Sequence, residues 1–425
     1  MIIRVKFLSI ITLLLIGLNG AAPAASRPTV SDKKQEHDFA LRDGDRVLFY
    51  GDSITEQRLY TTYVEHYVLT RYPERRISFI NTGWGGDQVT RNECGPCKGV
   101  GGLARIKRDV IDHHPTVVTL LFGMNDGRYY DFDEPTMKVY IDGLTAIIQE
   151  IKAKTKARIY LMTPTVYDGT RNTPWSHTSR YNGVLDRYSE AAKQIAAREQ
   201  LPVIDLHAVT TEALALAKKN DPSYTFLPDG VHPQEDGQLV MAAEILRAWG
   251  APASGVQTQL LIFTLDSQAK SEMLKGDKPL TVMVQAPLAW PEPLPSEKLR
   301  AVWPQITEMG SVTWRLKGLP TGTYKVSVDG GDASNFTAAE LARGIALNQL
   351  SKKAQEDAKA LAEFIRKRAD WFFMRWRQIE VPYAIEYKTT ANVVTAFDSL
   401  IDEMAERARK MAAPHSYSVT VTLAQ

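Results

Sequence analysis

The sequence reads as an α/β protein: a parallel sheet with helices on both faces, then a smaller β-rich unit carrying a helical insertion. Three observations predict this. Between Arg46 and Gly250, five short apolar runs alternate with segments of helical periodicity, the pattern of parallel strands joined by crossover helices. Ala251-Pro-Ala-Ser-Gly255 then reads as a linker. Beyond it, β-like runs take over, and a long helical block precedes the last of them.

The strands of the first unit are expected at Arg46–Tyr50, Ile77–Asn81, Val117–Phe122, Arg158–Met162 and Pro202–Leu206. A strand buried on both faces is a short, nearly continuous apolar run. Helical patterns occupy Thr61–Arg71, Leu103–His113, Thr136–Lys154, Ser179–Glu199, Glu212–Asn220 and Gln234–Trp249. In the third of these, Val139, Leu144, Ile147, Ile148 and Ile151 recur at helical spacing. After the linker, strands are expected at Val256–Leu265, Leu280–Gln285, Ser311–Leu316 and Tyr324–Val328, the last preceded by the turn Gly318-Leu-Pro-Thr-Gly322. Thr337-Ala-Ala-Glu340 has the form of a capping box and opens a block with helical grammar from Leu341 to Arg377. Its residues Trp371, Phe372, Phe373 and Trp376 read as a core stripe of the second unit. Pro382 interrupts the block, Asn392–Met411 resumes it, and Ser416–Leu423 alternates like an edge strand.

The first segment is expected to stand outside the fold. Arg4 and Lys6 precede an apolar run from Phe7 to Leu18, and Ala21-Ala-Pro-Ala-Ala25 follows. This is a secretory signal layout with cleavage near Ala24 or Ala25. The expected organisation is therefore a signal peptide over 1–25, a catalytic unit over 40–250 and a β-rich unit over 256–425 with a helical hairpin inserted. The mature protein is expected to be exported, periplasmic or secreted, without a stable membrane anchor.

Among 425 residues, a net charge of +2 and the lack of a long basic run argue against nucleic acid or another bulk polyanion as partner. The two cysteines, Cys94 and Cys97, frame Cys94-Gly-Pro-Cys97 in a glycine-rich loop. An oxidising compartment favours a local disulfide there over a redox centre. His113-His114 lacks companions in a metal-ligand pattern and reads as a helix end. No metal and no organic cofactor are expected.

Four islands fall at strand ends or just before the last helix of the first unit. They are Gly51-Asp52-Ser53, Asn81-Thr-Gly83-Trp-Gly85-Gly86-Asp87, Gly123-Met-Asn125-Asp126 and Asp229-Gly-Val-His232-Pro233. In parallel sheets, functional residues collect at the carboxyl ends of strands. A serine at a strand-to-helix turn suits an acyl-transfer nucleophile, because free backbone N–H groups lie beside it. A serine hydroxyl is weak alone and needs a base within reach; His232 can supply it, with Asp229 on the other ring nitrogen. Taken singly, the islands also fit plain turns. Asp205-Leu-His207 is a rival acid–histidine pair, read as structural, and Asp52 is read as a turn or network residue.

The four islands, in this order, resemble the SGNH hydrolases, or GDSL-type esterases, over about Arg46 to Trp249. That resemblance implies a flavodoxin-like, three-layer α/β/α fold and a catalytic Ser53–His232–Asp229 triad. It also implies an oxyanion hole made by the Ser53 and Gly86 N–H groups and the Asn125 amide. The implied activity is hydrolysis of an oxygen ester through an acyl-serine intermediate, with a short acyl group, chiefly acetyl, on a small or polymeric carbohydrate as the preferred substrate. A lipase or lysophospholipase is the alternative within the family, and a non-catalytic carbohydrate-binding protein with a vestigial site the alternative outside it. Trp84, Tyr129 and Trp175 are the expected substrate contacts.

Overall fold

The computed structural model describes residues 2–5, 39–97, 99–171, 176–252, 260–264, 279–383 and 389–424. The first strand, β1 (Ile2–Val5), joins a sheet of the second unit and is taken up there.

The first unit is built on β2 (Arg46–Gly51), β3 (Ser78–Asn81), β4 (Val117–Leu121), β5 (Arg158–Met162) and β6 (Val203–Ile204). They lie in the order β3-β2-β4-β5-β6, and every pairing is parallel. This is the flavodoxin-like order, in which the sheet reverses direction of growth beside its first strand. Here the reversal lies between β2 and β4. All five residues of β4 are buried, as a central strand with helices on both faces requires. The crossover helices are α1 (Ser53–Glu56) and α2 (Leu59–Arg71), α3 (Gly102–Asp109), α4 (Glu134–Lys154), α5 (Tyr181–Glu199), α6 (Leu206–Asn220) and α7 (Glu235–Ala248). α2, α7 and α6 pack side by side, as do α3, α4 and α5.

Three elements differ from the sequence expectation. β6 shrinks to two residues, and α6 starts at Leu206 rather than Glu212, because the Asp205 carboxylate caps it by accepting from Ala208 N–H at 3.1 Å. The expected first helix is preceded by the extra turn α1, capped by Asp52.

The second unit holds two sheets. One runs β1, β8 (Leu280–Ala286), β13 (His415–Leu423), β10 (Thr323–Val328), β11 (Ser334–Thr337); the other runs β12 (Ile345–Ala346), β9 (Thr313–Lys317), β7 (Leu260–Thr264). β13 pairs antiparallel with both β8 and β10. It is therefore central rather than the expected edge strand. Its Tyr417, Val419 and Val421 are buried while their neighbours are less so, and such alternation reports one covered face without reporting the number of strand neighbours. The helical block is also less continuous than expected. Thr337 and Glu340 do form the reciprocal capping box, but on a helix that stops at Arg343. Gly344 there has φ +117°, and β12 follows before the long helix Lys352–Phe373 begins. That helix widens into a π turn over Met374–Glu380 and packs antiparallel-fashion beside Thr390–Met411 through a shared contact surface.

β1 is a departure from the expectation that residues 1–25 stand apart: Ile2–Val5 pair in parallel with Thr281–Val284. A β-branched stretch can add itself to an open sheet edge. The rest of that segment, including the expected cleavage site, lies outside the described residues.

The units are joined by buried polar contacts as well as apolar ones. Arg71 donates to Leu288 O at 2.9 Å and Gly310 O at 2.6 Å, Trp290 Nε1 to Tyr63 O at 2.8 Å, and Arg368 to Glu65 Oε2 at 2.6 Å. Phe372, Trp376 and Ile401 form an apolar cluster with Trp84 of the first unit. The aromatic stripe expected to fill the second unit's core is thus an interface, because its partner Trp84 comes from the loop after β3.

Candidate active site

β2 ends at Gly51, where a side chain would strike the Leu121 carbonyl of β4 and the Thr55 side chain. Asp52 then caps α1, its Oδ1 accepting from Ile54 N–H at 2.9 Å. Ser53 is the first residue of that helix, so its N–H has no partner one turn earlier. The serine sits at the carboxyl end of β2, at the point where the strand order reverses.

His232 reaches it from the loop before α7. Its Nε2 lies 2.8 Å from Ser53 Oγ, and its Nδ1 lies 2.6 Å from Asp229 Oδ2. Asp229 is fixed by the turn it makes: Oδ1 accepts from Val231 N–H at 3.0 Å and His232 N–H at 2.8 Å, with Gly230 at φ +81°. Burial raises the Asp229 pKa, but these hydrogen bonds and the imidazole outweigh it and bring it to about 2. The carboxylate is therefore ionised at neutral pH.

The two other islands meet each other through the Asn125 amide. Gly86 has φ +74°, and a Cβ there would collide with Cys94 Cβ. No acceptor for its N–H lies among the described residues. Asn125 follows β4; its Nδ2 donates to Asp87 O at 3.0 Å, and its Oδ1 accepts from Tyr129 O–H at 2.9 Å. One amide hydrogen is left for a further acceptor. Tyr129 holds φ +60°, a conformation rarely adopted by aromatic residues. It is placed as the orienter of the Asn125 amide.

Behind the site runs a buried polar frame that the sequence reading missed. Arg105 is fully buried and donates to Gly51 O at 2.9 Å, Thr82 O at 2.7 Å, Asp87 Oδ2 at 2.5 Å and Asp109 Oδ2 at 3.2 Å. It ties the end of β2 to the loop after β3. A signal existed: Gly102, Arg105, Ile106 and Asp109 share the buried face of α3, which puts an i,i+4 Arg–Asp pair beside an apolar residue. Asp126 accepts from Val89 N–H at 2.9 Å and is otherwise buried. Burial raises its pKa to about 7, and likewise that of Asp52.

One expected substrate contact is corrected here. Trp84 is no substrate platform: it is 2% exposed, its Nε1 donates to Cys97 O at 3.0 Å, and its ring meets Trp376 edge-on at 5.8 Å. Its face is occupied by the Arg377 guanidinium at 3.3 Å. Trp175 lies outside the described residues. Cys94 and Cys97 are bonded, with their Cα atoms 5.3 Å apart, under Gly85 and Gly86. Asp205 and His207 do not pair with each other; Asp205 caps α6 and His207 bonds to Asp186 at 2.7 Å. His113 carries no charge to offer a helix end, because burial lowers its pKa to about 4. Among the described residues no group of three or more His, Cys, Asp or Glu is arranged to hold a metal ion.

A model of the GDSL-like lipase/acylhydrolase family matches residues 49–240, the stretch that contains all of these islands. The first unit is a GDSL-like hydrolase. Its family is one of carboxylic ester hydrolases, and the chain accordingly carries an esterase domain of the serine type. The GDSL esterase/lipase WDL1 of Oryza sativa subsp. japonica is 28% identical over 200 residues, which cover 40% of this chain and 72% of that protein. A gut microbial diltiazem-metabolizing enzyme has the same fold over both units, with a TM-score of 0.72, covering 90% of this chain and 98% of that one at 21% identity. An acetylxylan esterase from Geobacillus stearothermophilus aligns over 50% of this chain and 96% of its own, at 27% identity and a TM-score of 0.39.

Proposed function

We propose that this GDSL-like hydrolase is an exported serine esterase that removes short acyl groups, chiefly acetyl, from hydroxyls of a carbohydrate. The observation that carries the serine mechanism is the unbroken chain Ser53 Oγ, His232 Nε2, His232 Nδ1, Asp229 Oδ2, with links of 2.8 and 2.6 Å. Ser53 attacks the ester carbonyl while His232 takes its proton, and ionised Asp229 steadies the imidazolium. The developing oxyanion is held by the Ser53 and Gly86 N–H groups and the spare Asn125 amide hydrogen. His232 returns the proton to the leaving sugar hydroxyl. Water, activated by the same imidazole, then frees the acid from Ser53.

The short-acyl reading is supported by what surrounds the serine. The loops after β3 and β4 carry Gly86, Asp87, Asn125, Asp126 and Arg128, not a row of aliphatic side chains. The helical block could have added an apolar wall, but its Phe372 and Trp376 are buried against Trp84. Beside Tyr129, the exposed ring of Tyr130 stacks on His177 at 4.1 Å, which suits a sugar face. Export is supported by the basic start, apolar run and small-residue stretch of residues 1–25, and N-terminal sequencing of the mature protein tests it. No helix among the described residues is long and apolar enough to cross a membrane.

The test is acyl length. A site for long chains gains about 0.8 kcal/mol per buried CH₂, so its kcat/KM climbs from acetyl to octanoyl p-nitrophenyl esters. Here kcat/KM should fall by butyryl and be negligible at octanoyl, with acetate released from acetylated polysaccharide. Equal turnover of octanoyl esters would favour the lipase reading and leave the serine mechanism standing. A fluorophosphonate probe should label wild type and not Ser53→Ala.

A further inference from the structure

The loop Thr82–Asp87 presents Gly86 to the site, and its geometry is set from outside the first unit. Gly85 N–H donates to Glu56 Oε2 at 3.0 Å. Trp84 Nε1 donates to the Cys97 carbonyl at 3.0 Å, and the Cys94–Cys97 bridge lies against the two glycines. These two anchors, Glu56 and the Cys97 carbonyl, converge on one side chain. Arg377 donates to Cys97 O at 2.8 Å, its Nε stands 3.9 Å from Glu56 Oε1, and its guanidinium covers the Trp84 ring at 3.3 Å. It comes from the π turn Met374–Glu380 of the second unit. That turn is seated by Trp376, whose Nε1 donates to Asp109 Oδ1 at 2.9 Å. Asp109 in turn holds Arg105, which holds Asp87 on the far side of the same loop. The Gly86 loop is thus clamped between Arg105 within its own unit and Arg377 from the other.

We propose that Arg377 is a positioning residue for ester hydrolysis: it fixes Glu56 and the Cys97 carbonyl, and through them aims the Gly86 N–H at the oxyanion. The proposal rests on Ser53 being the nucleophile. It gives the second unit a part in the reaction although none of its side chains reaches Ser53 among the contacts described. A guanidinium suits this task because its planar fork can serve two acceptors and still stack on an indole; a lysine ammonium cannot do all three.

A donor misplaced by about 1 Å can cost on the order of 10²-fold in rate. Arg377→Met keeps the stem over Trp84 and removes both polar contacts. It should lower kcat about 10- to 100-fold with KM within about twofold, and slow fluorophosphonate labelling in parallel, since that adduct also places an oxygen in the oxyanion site. Arg377→Lys should recover part of the loss. Glu56→Gln, which keeps an acceptor for Gly85 N–H but cuts the ion pair, should add little on top of Arg377→Met. Asp370→Asn, on the same helix face with an exposed Arg58 contact at 3.2 Å, should leave kcat unchanged. If Arg377→Met does not fold, Arg377→Lys and Glu56→Gln are read alone by the same criterion. Unchanged kcat in the folded variants, or a rise in KM alone, overturns the proposal. Failure of the wild type to label at Ser53 would instead overturn the serine reading itself.

Discussion

Replacing Asp52 with asparagine should shift stability in the variant's favour by an amount that grows with pH. The Asp52 carboxyl is 1% exposed; Oδ1 accepts from Ile54 N–H, and Oδ2 has no hydrogen-bond partner among the described residues. Burial raises its pKa from 3.8 to about 7, with Asp87 adding to the rise and the Ile54 N–H, His232 and Arg105 opposing it. The fold therefore favours the protonated form. The resulting contribution to stability is fully present below pH 3.8 and is lost as pH rises through about 7. Each pKa unit corresponds to about 1.4 kcal/mol. At pH 8 the ionised carboxylate thus costs about 4 kcal/mol, whereas at pH 5 the proton taken up on folding costs only roughly 2 kcal/mol. Asparagine keeps the Oδ1 acceptor and cannot ionise. Its N–H₂ takes the place of the unpaired Oδ2, and the penalty for an unpaired buried donor, about 1–3 kcal/mol, is the same at every pH. The diagnostic quantity is accordingly the change between conditions. Urea unfolding at pH 5, 6.5 and 8 should show the variant gaining roughly 2–3 kcal/mol on wild type from the lowest to the highest pH. Parallel stability curves would refute the reasoning, since they require an Asp52 that ionises normally in the fold.

Three further outcomes are expected. Asn125→Ala should lower kcat about 10²- to 10³-fold with little change in KM, and Tyr129→Phe should lower it less, because the amide is kept but loses its orienting hydroxyl; steady-state kinetics on an acetyl ester reads both. Ser53→Ala and His232→Ala should each remove most turnover, and the double variant should be little worse than either; a much slower double variant would mean that the two do not act as a unit. Asp229→Asn should cut kcat by about 10⁴-fold through the wrong imidazole tautomer, while near-normal turnover would show that another group orients His232.

What the sequence disclosed, and what it withheld, follows the range of the interactions. The five strands of the first sheet were legible because each is a compact apolar run, but their spatial order was not, since periodicity carries no pairing information. The approach of Ser53, His232 and Asp229 was legible because each sits in a short motif with its own turn: Asp52 caps α1, and Asp229 fixes His232 three residues on. Glu56 and Arg377 escaped notice because their partners are distant, and Arg105 because only Asp109 of its four partners lies within a helical turn. Arg377 donates to a carbonyl 280 residues away in the chain. Trp84 misled for the same reason, as its covering residues Trp376 and Arg377 come from the other unit. The break at Gly344 was hidden by strong helix formers on either side of a single residue at φ +117°.

The central place of β13 has a consequence for how the chain is made. Its hydrogen-bonding neighbours β8 and β10 precede it in the chain, yet the two are joined into one sheet only by His415–Leu423 lying between them. A nascent or truncated chain lacking that segment exposes two facing strand edges, the kind of surface that recruits foreign strands. Completion of that sheet thus waits for a strand that follows both of its neighbours in the chain. Disruption of the His415–Leu423 strand should register first as aggregation, ahead of any loss at the serine.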